Sequence, residues 1–195
     1  MLYYKYMAND EKKEAKPLDA ETDVLLKTRT ILLSGEINKD TADSTIKKLL
    51  LLEADNNTEP IWLYINSPGG EVDSGFAIYD MIRFVKPEVK ILGIGLIASA
   101  AALIFVSVPF ERRFALPHSS YLIHQPLASM KGVASDVEIY ADKLNRIKKE
   151  INKVIADATG KTEDEVALHT DRDYWLTADE AIEYGLVSKI LDRRP

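Results

Sequence analysis

The sequence predicts an α/β fold in which helices cover a parallel β-sheet. Short apolar runs rich in β-branched and aromatic residues predict strands at 31–33, 61–65 and 89–97. Helical patterns at about 40–53 and 72–85 separate these runs, and that alternation is typical of βαβ units. The chain of 195 residues, with 46% hydrophobic and 29% charged residues, has the composition of one ordinary globular domain.

The C-terminal half carries further strands and three helix-start signals. Later strands are predicted at 113–116, 121–124 and 186–190. Capping boxes predict helix starts at three pairs: Ser135 with Glu138, Thr162 with Glu165, and Thr177 with Glu180. Glycines at 160 and 185 follow two of these helices at the position where a left-handed C-cap is expected.

The helix predicted from Ser135 to Gly160 has an apolar stripe with heptad spacing. The stripe consists of Val137, Tyr140, Leu144, Ile147, Ile151, Val154 and Ala158. Two interpretations follow from this spacing. The helix either lies on its own sheet or extends outward to pack against the same helix of another subunit.

The N-terminal segment and the long apolar stretch at 89–108 indicate where the folded domain begins and where the protein is located. Residues 1–25 are charge-dense and without periodicity, so they are predicted to be mobile or ordered only by a partner, with the folded domain at 26–195. The N-terminus does not resemble a presequence, which indicates a cytoplasmic protein. The apolar stretch 89–108 is interrupted by Lys90 and Ser99, which favours a buried strand and helix over a membrane span.

A nucleic-acid partner, cysteine chemistry and a metal site are all disfavoured by the sequence. A net charge of -6 argues against a nucleic-acid partner, because phosphate binding depends on clustered Lys and Arg. The absence of cysteine excludes disulfides, thiolate catalysis and cysteine zinc sites. The sequence contains no H-E-x-x-H motif, so no metal site is predicted.

Ser99 is the candidate nucleophile. It ends the most apolar predicted strand and precedes three alanines, Ala100 to Ala102, so a strand-to-helix turn is predicted there. Such a turn presents a side chain beside free backbone N–H groups, as acyl transfer requires. A serine that caps a buried helix is the alternative, because the G-x-S-x-G motif is absent.

His124 is the candidate base among three histidines. His118 lies in a predicted turn and His169 lies among polar residues, whereas His124 ends an apolar strand and precedes Gln125 and a proline. An imidazole at that strand end would face a cleft. A buried histidine that bonds a backbone carbonyl is the alternative interpretation.

An acid and a glycine loop complete the candidate chemistry. Asp173 precedes Tyr174 and Trp175, where a desolvated carboxylate could hold an imidazole in one tautomer. A surface pair with Arg172 is the alternative, and the pattern does not separate Asp173 from Asp171. The consecutive glycines of the 66–70 loop could turn backbone amides toward an anion, or could merely form a tight βα turn.

Taken together, these segments resemble the ClpP family of ATP-dependent peptidases from about Thr28 to Leu191. The matching stretches are YINSPGG at 64–70, GFAIYD at 75–80, RFALP at 113–117, IHQP at 123–126, DRD at 171–173 and AIEYGLV at 181–187. The resemblance implies a serine endopeptidase with Ser99 as nucleophile, His124 as base and Asp173 as orienting acid. It also implies an oxyanion hole formed by the N–H groups of Gly70 and Ala100.

The resemblance further implies a crotonase-like βαβ spiral with a protruding handle at about 125–160, and an assembly of two stacked heptamers. Asp171 and Arg172 would bridge the two rings. A ring-shaped AAA+ unfoldase of the ClpX, ClpA or ClpC type would use the ATP and thread unfolded proteins into the chamber, so the chain itself would need no cofactor or metal. The unfoldase would dock on an apolar cleft of this chain that consists of six residues: Trp62, Tyr64, Leu92, Phe114, Leu116 and Leu191.

The sequence departs from the family pattern in three places. Ala100 replaces the usual Met after the nucleophile, and Leu96 and Ile97 replace polar or small residues before it. The N-terminus lacks the axial-loop pattern, which suggests mixed rings with a second, different ClpP subunit. The alternatives in other classes are a catalytically idle ring subunit and a crotonase-fold acyl-CoA enzyme.

Overall fold

The computed structural model describes residues 20–194, so the prediction for residues 1–19 lies outside the described part of the chain. In chain order the elements are α1 (Ala20–Lys27), β1 (Thr30–Ser34), α2 (Lys39–Asp55), β2 (Ile61–Ser67), α3 (Val72–Phe84), β3 (Val89–Ala98), α4 (Ala100–Phe105), a 3-10 turn (Phe110–Arg112), β4 (Arg113–Ala115), β5 (Ser120–Ile123), α5 (Ala134–Thr159), α6 (Glu163–Thr170), β6 (Tyr174–Thr177), α7 (Ala178–Tyr184) and β7 (Lys189–Ile190).

The sheet is parallel along its main path, in the order β1, β2, β3, β4, β7. β5 pairs parallel with the second half of β3, and β6 pairs antiparallel with β5. The long strand β3 therefore divides between two neighbours, β4 at its start and β5 at its end. This division brings the end of β3 beside the end of β5, where Ser99 and His124 follow.

A bulge at Gly95 allows β3 to change partners. The pairing register with β2 shifts between Ile65 and Ser67. Gly95 has a φ of 67°, and a Cβ built on it would lie 2.8 Å from the Asn66 Oδ1, which accepts a hydrogen bond from the Leu96 N–H at 3.1 Å. The position requires glycine because backbone and side chain approach so closely there.

The two faces of the sheet differ in burial. In β2, Ile61, Leu63 and Ile65 point into the core and are fully buried, because successive side chains of a strand point to opposite faces. The alternate residues Trp62 and Tyr64 are half-buried on the other face. That second face carries an apolar cleft, described below with the site.

Most predicted elements are confirmed, and four details differ. α1 extends regular structure into a segment predicted to have none, because Leu26 packs against the core. The predicted cap at Ser135 is wrong: α5 starts at Ala134 after Val133, whose side chain makes no cap. The strand predicted at 186–190 is reduced to β7, and the antiparallel strand β6 was not predicted. The caps at Thr162 and Thr177 and both glycine C-caps are confirmed.

The helix α5 is partly packed and partly projecting. Near its C-terminus Ile151, Ile155 and Ala156 are buried, whereas Val137 and Ile139 near its N-terminus are 41% and 66% exposed. The C-terminal half of the stripe therefore lies on the body of the chain, as the first interpretation predicts. The N-terminal half projects, and its packing against another subunit stays a prediction. We call residues 125–160 the handle, of which the first half projects from the body.

Arg113 anchors the base of the handle. Its buried guanidinium donates to the backbone carbonyls of Val108 and Ala158 at 2.8 Å each, and to that of Gly185 at 3.5 Å. Burial lowers the pKa of Arg113 to about 10. Two helix ends, those of α5 and α7, are thereby tied to β4.

Within residues 20–194, no helix combines the length and the apolar character that crossing a bilayer requires.

Candidate active site

Ser99 lies at the tight turn between β3 and α4. Its backbone has φ 57° and ψ -122°, a conformation that non-glycine residues rarely adopt. The hydroxyl does not cap α4, contrary to the alternative interpretation from the sequence. The Ser99 N–H donates to the Leu122 carbonyl at 2.9 Å, which ties the turn to β5. The side chain is thereby aimed away from the helix and toward the end of β5.

His124 immediately follows β5 and contacts the Ser99 hydroxyl. Its Nε2 lies 2.8 Å from the Ser99 Oγ, and its side chain is 13% exposed. β5 is held in place by the buried Tyr121, whose hydroxyl lies against Gly93 and 3.3 Å from the Ser119 Oγ. Burial raises the pKa of Tyr121 well above its ordinary value.

Asp173 contacts the other nitrogen of the same imidazole. Its Oδ1 lies 2.9 Å from the His124 Nδ1, so Ser99, His124 and Asp173 form one continuous hydrogen-bonded line. The sequence predicted a carboxylate desolvated by aromatic residues, and this prediction is wrong for the single chain, where the Asp173 side chain is 62% exposed. The ring of the neighbouring Tyr174 stacks on the His169 ring, with the two centroids 4.5 Å apart.

The glycine loop after β2 packs directly against the Ser99 turn. A Cβ on Gly69 would lie 2.5 Å from the Ala98 carbonyl oxygen and 3.0 Å from the Ala100 nitrogen. Gly70 has a φ of 150°, and a Cβ there would overlap the Ile37 carbonyl. The Ala100 N–H is the first of α4 and has no intrahelical acceptor. Gly69 therefore packs against the turn where the Ala100 N–H begins α4, and Gly70 is the next residue of the loop, held against Ile37.

An apolar pocket and a longer groove adjoin the serine. The pocket is lined by Ser99, His124 and a set of apolar side chains: Val72, Leu103, Ile123, Pro126, Ile151 and Ile155. A cavity of about 280 Å³ continues between the glycine loop and the handle, bounded by Gly70, Leu127 and Leu144. Neither the pocket nor the cavity was predicted from the sequence, because their walls come from segments far apart in the chain.

The structure also brings together the six residues of the predicted docking cleft. Trp62, Tyr64, Leu92, Leu116 and Leu191 line one cavity of about 230 Å³, and the Phe114 ring lies 5.6 Å from the Trp62 ring. The predicted inter-ring residues Asp171 and Arg172 are both exposed. The Asp171 Oδ1 lies 3.5 Å from the Lys148 Nζ of α5.

The other histidines lie apart from this line. His118 is exposed, and His169 lies in α6, where its Nδ1 is 3.1 Å from the Tyr184 hydroxyl. In the described part of the chain, no grouping of His, Asp or Glu has the geometry to hold a metal ion.

Comparison with known proteins relates this site to one family. The sequence model of that family, described as Clp protease, matches residues 12–194. The ATP-dependent Clp protease proteolytic subunit 2 of Treponema denticola is 51% identical over 95% of this chain and 94% of its own. The proteolytic subunit 3 of Rhizobium etli is 46% identical over 93% of this chain and 94% of its own.

A solved structure agrees in fold. A ClpP1 mutant from Listeria monocytogenes superimposes with a TM-score of 0.83 at 44% identity, over 89% of this chain and 97% of that chain. The predicted ClpP fold is thereby confirmed. Because the family match and these alignments each span most of the sequence, this chain belongs to the Clp protease family.

Proposed function

We propose that this chain is the proteolytic subunit of an ATP-dependent Clp protease and that it cleaves peptide bonds as a serine endopeptidase. The observation that carries this proposal is the unbroken line from the Ser99 Oγ through the His124 ring to the Asp173 Oδ1, with contacts of 2.8 and 2.9 Å. Contacts of this length on both ring nitrogens are what nucleophile activation needs.

In the proposed cycle the Ser99 oxygen attacks the substrate carbonyl carbon while His124 Nε2 takes the hydroxyl proton. The tetrahedral intermediate collapses when His124 returns that proton to the leaving amine, which leaves an acyl group on Ser99. Water then attacks the acyl-enzyme with His124 as base, and the carboxylic acid product leaves. Asp173 accepts the Nδ1 hydrogen bond and stabilises the imidazolium at each step.

The N–H groups of Gly70 and Ala100 are the proposed oxyanion hole. Ala100 follows Ser99 directly, Gly70 follows the Gly69 that packs at the Ser99 turn, and the Gly70 position excludes any side chain. Fixed donors of this kind stabilise the charge that develops in the transition state. Loss of one donor typically raises the activation barrier by about 2.7–4 kcal/mol. The adjoining pocket is apolar, which favours an apolar substrate side chain beside the scissile bond.

The assembly proposed here is a double ring of heptamers that works with an AAA+ unfoldase. The cleft between Trp62 and Leu191 supports this part of the proposal, since it is an apolar recess on the open face of the sheet. Relatives whose names number separate proteolytic subunits support mixed rings with a second subunit. Unfolded proteins and short peptides are the proposed substrates, and the cytoplasmic location stays a prediction.

The test is a comparison of the wild-type chain with Ser99→Ala. We expect the wild type to hydrolyse a short fluorogenic peptide and to be labelled by a fluorophosphonate, and the variant to do neither. Ser135→Ala is the matched control, because that serine is exposed and caps no helix. Native mass spectrometry would show whether Ser99→Ala assembles like the wild type.

The same samples separate the other classes of function. Wild-type rings that assemble but are not labelled would indicate an idle ring subunit. Binding of acyl-CoA without labelling of Ser99 would indicate an acyl-CoA enzyme. Peptide hydrolysis by Ser99→Ala at the wild-type rate would exclude the proposed mechanism.

A further inference from the structure

The exposed segment that carries Asp173 must hold its carboxylate at a fixed place. Asp171, Arg172 and Asp173 connect α6 to β6, and all three are exposed. Their position nevertheless leaves the Asp173 Oδ1 only 2.9 Å from the His124 Nδ1. Contacts outside this segment therefore have to restrain it.

Gln125, the residue after the base, provides the first restraint. Its backbone N–H donates to the Thr170 carbonyl at 2.6 Å, and its Nε2 donates to the Asp171 carbonyl at 2.6 Å. The Nε2 also lies 3.4 Å from the Asp171 Oδ1. Gln125 thus hydrogen-bonds to the backbone of the residues that lie three and two positions before Asp173.

Lys148 of α5 fixes the orientation of that amide. Its Nζ donates to the Gln125 Oε1 at 3.0 Å and lies 3.5 Å from the Asp171 Oδ1. If the amide turned over, its NH₂ group would face the ammonium group, and the Asp171 carbonyl and Oδ1 would both lose the amide as a donor. The Lys148 side chain is 30% exposed, so part of its lysine stem is also packed.

A second contact from the same helix lies one turn further on. The buried Asn152 accepts a hydrogen bond through its Oδ1 from the Thr170 hydroxyl at 2.8 Å, and Thr170 is fully buried. Residues four apart lie on the same face of a helix. Lys148 and Asn152 therefore form one edge of α5 that holds residues 170 and 171.

We propose that Lys148 is a positioning residue for the peptidase reaction proposed above, on which this inference rests. Its ammonium group holds the Gln125 amide and the Asp171 carboxylate, and through them it keeps Asp173 within hydrogen-bonding distance of His124. The residue touches neither substrate nor the reacting atoms. Its substitution is therefore expected to lower kcat and to leave KM unchanged.

The experiment compares Lys148→Met, which keeps the stem but removes the charge and donors, with the wild type. We expect Lys148→Met to lower kcat for a short peptide about 10- to 100-fold with KM unchanged, since small misplacements of catalytic groups have effects of that order. Lys148→Arg should recover most of the loss because its guanidinium also donates to both acceptors. Lys149→Met, the exposed neighbour, is the matched control and should behave as wild type.

A double-mutant cycle tests the route of the effect. In an Asp173→Asn background, Lys148→Met should cause little further loss, because the two changes then act on the same contact. Gln125→Met removes the amide without altering α5, and should lower kcat similarly. That variant, with sedimentation to establish the assembly state, keeps the test decisive if Lys148→Met assembles poorly.

A crystal structure of Lys148→Met provides a readout that does not depend on activity. We expect the Asp173 carboxylate to have moved out of hydrogen-bonding distance of the His124 Nδ1. Wild-type kcat in assembled Lys148→Met, losses that add fully with Asp173→Asn, or an unchanged contact of 2.9 Å would each overturn the inference. A wild type without peptidase activity would count instead against the proposed function, and the crystal structure would still decide the role of Lys148.

Discussion

Replacing Gly70 by alanine tests whether its N–H is an oxyanion donor. The added methyl group would overlap the Ile37 carbonyl, and Gly70 has a φ of 150° that side chains rarely tolerate. The loop therefore has to shift, and the Gly70 N–H moves away from the place where the oxyanion forms. Loss of one such donor typically raises the barrier by about 2.7–4 kcal/mol, so we expect kcat to fall about 10²- to 10³-fold.

A second glycine of the same region separates this effect from simple backbone strain. Gly35 also has a positive φ, 83°, but a Cβ there would meet no atom within 4 Å. Gly35→Ala should therefore lower stability by about 1–2 kcal/mol while leaving kcat nearly unchanged. Both variants should have a KM close to that of the wild type, because the donors act on the transition state.

The assay is steady-state hydrolysis of a short fluorogenic peptide, with unfolding midpoints and sedimentation measured on the same samples. If assembled Gly70→Ala turns over like the wild type, the Gly70 N–H is not a donor. If kcat falls as much in Gly35→Ala as in Gly70→Ala, backbone strain in this region explains both losses. The Gly70 N–H would then not be identified as an oxyanion donor.

Three further predictions concern assembly and stability. Leu144→Asp combined with Ile147→Asp should yield single rings or smaller species with little activity, because it charges the stripe of the handle; a double mutant that sediments as the full double ring would refute the interface. Burial raises the pKa of Tyr121 in the folded state, so above pH 10.0 the tyrosine ionises only in the unfolded state and the free energy of unfolding falls. We expect that free energy, measured by denaturation at rising pH, to fall less steeply for Tyr121→Phe than for the wild type. Equal slopes would contradict this assignment. Arg113→Met should lower the free energy of unfolding by about 1–3 kcal/mol for each orphaned carbonyl, including that of Ala158, and an unchanged urea midpoint would show that these bonds add nothing net.

The parts of the fold that follow local rules could be predicted from the sequence. The strands β1, β2 and β3 have continuous apolar runs. The capping boxes at Thr162 and Thr177 combine a hydroxyl with a carboxylate in the correct place. The box at Ser135 has the same pattern but fails, because the helix already starts at Ala134 and the serine lies inside its first turn. β6 was not predicted, and its last residue is the same Thr177 whose side chain caps α7, so a strand and a helix start share that residue.

The site required more than local rules. From the residues alone Ser99, His124 and Asp173 each had a structural alternative, and only the resemblance across ordered segments joined them. The Asp173 side chain is 62% exposed although two aromatic residues follow it, because adjacency in sequence does not specify packing. The contacts of Gln125 with Lys148 and Asp171 span 23 and 46 residues of chain, so the pattern carried no signal for them.

The attachment of the handle has a mechanical consequence. α5 contains 26 residues, which gives a length of about 39 Å at 1.5 Å per residue. Arg113 and the buried residues Ile151 and Ile155 clamp one end to the sheet, while the end near Val137 projects. Because one end of the helix is fixed, a tilt of about 5° at that end would move the other end by about 3 Å over this length. Lys148 lies close to the fixed end, so the same tilt would move the acid segment that it contacts much less than the tip of the helix.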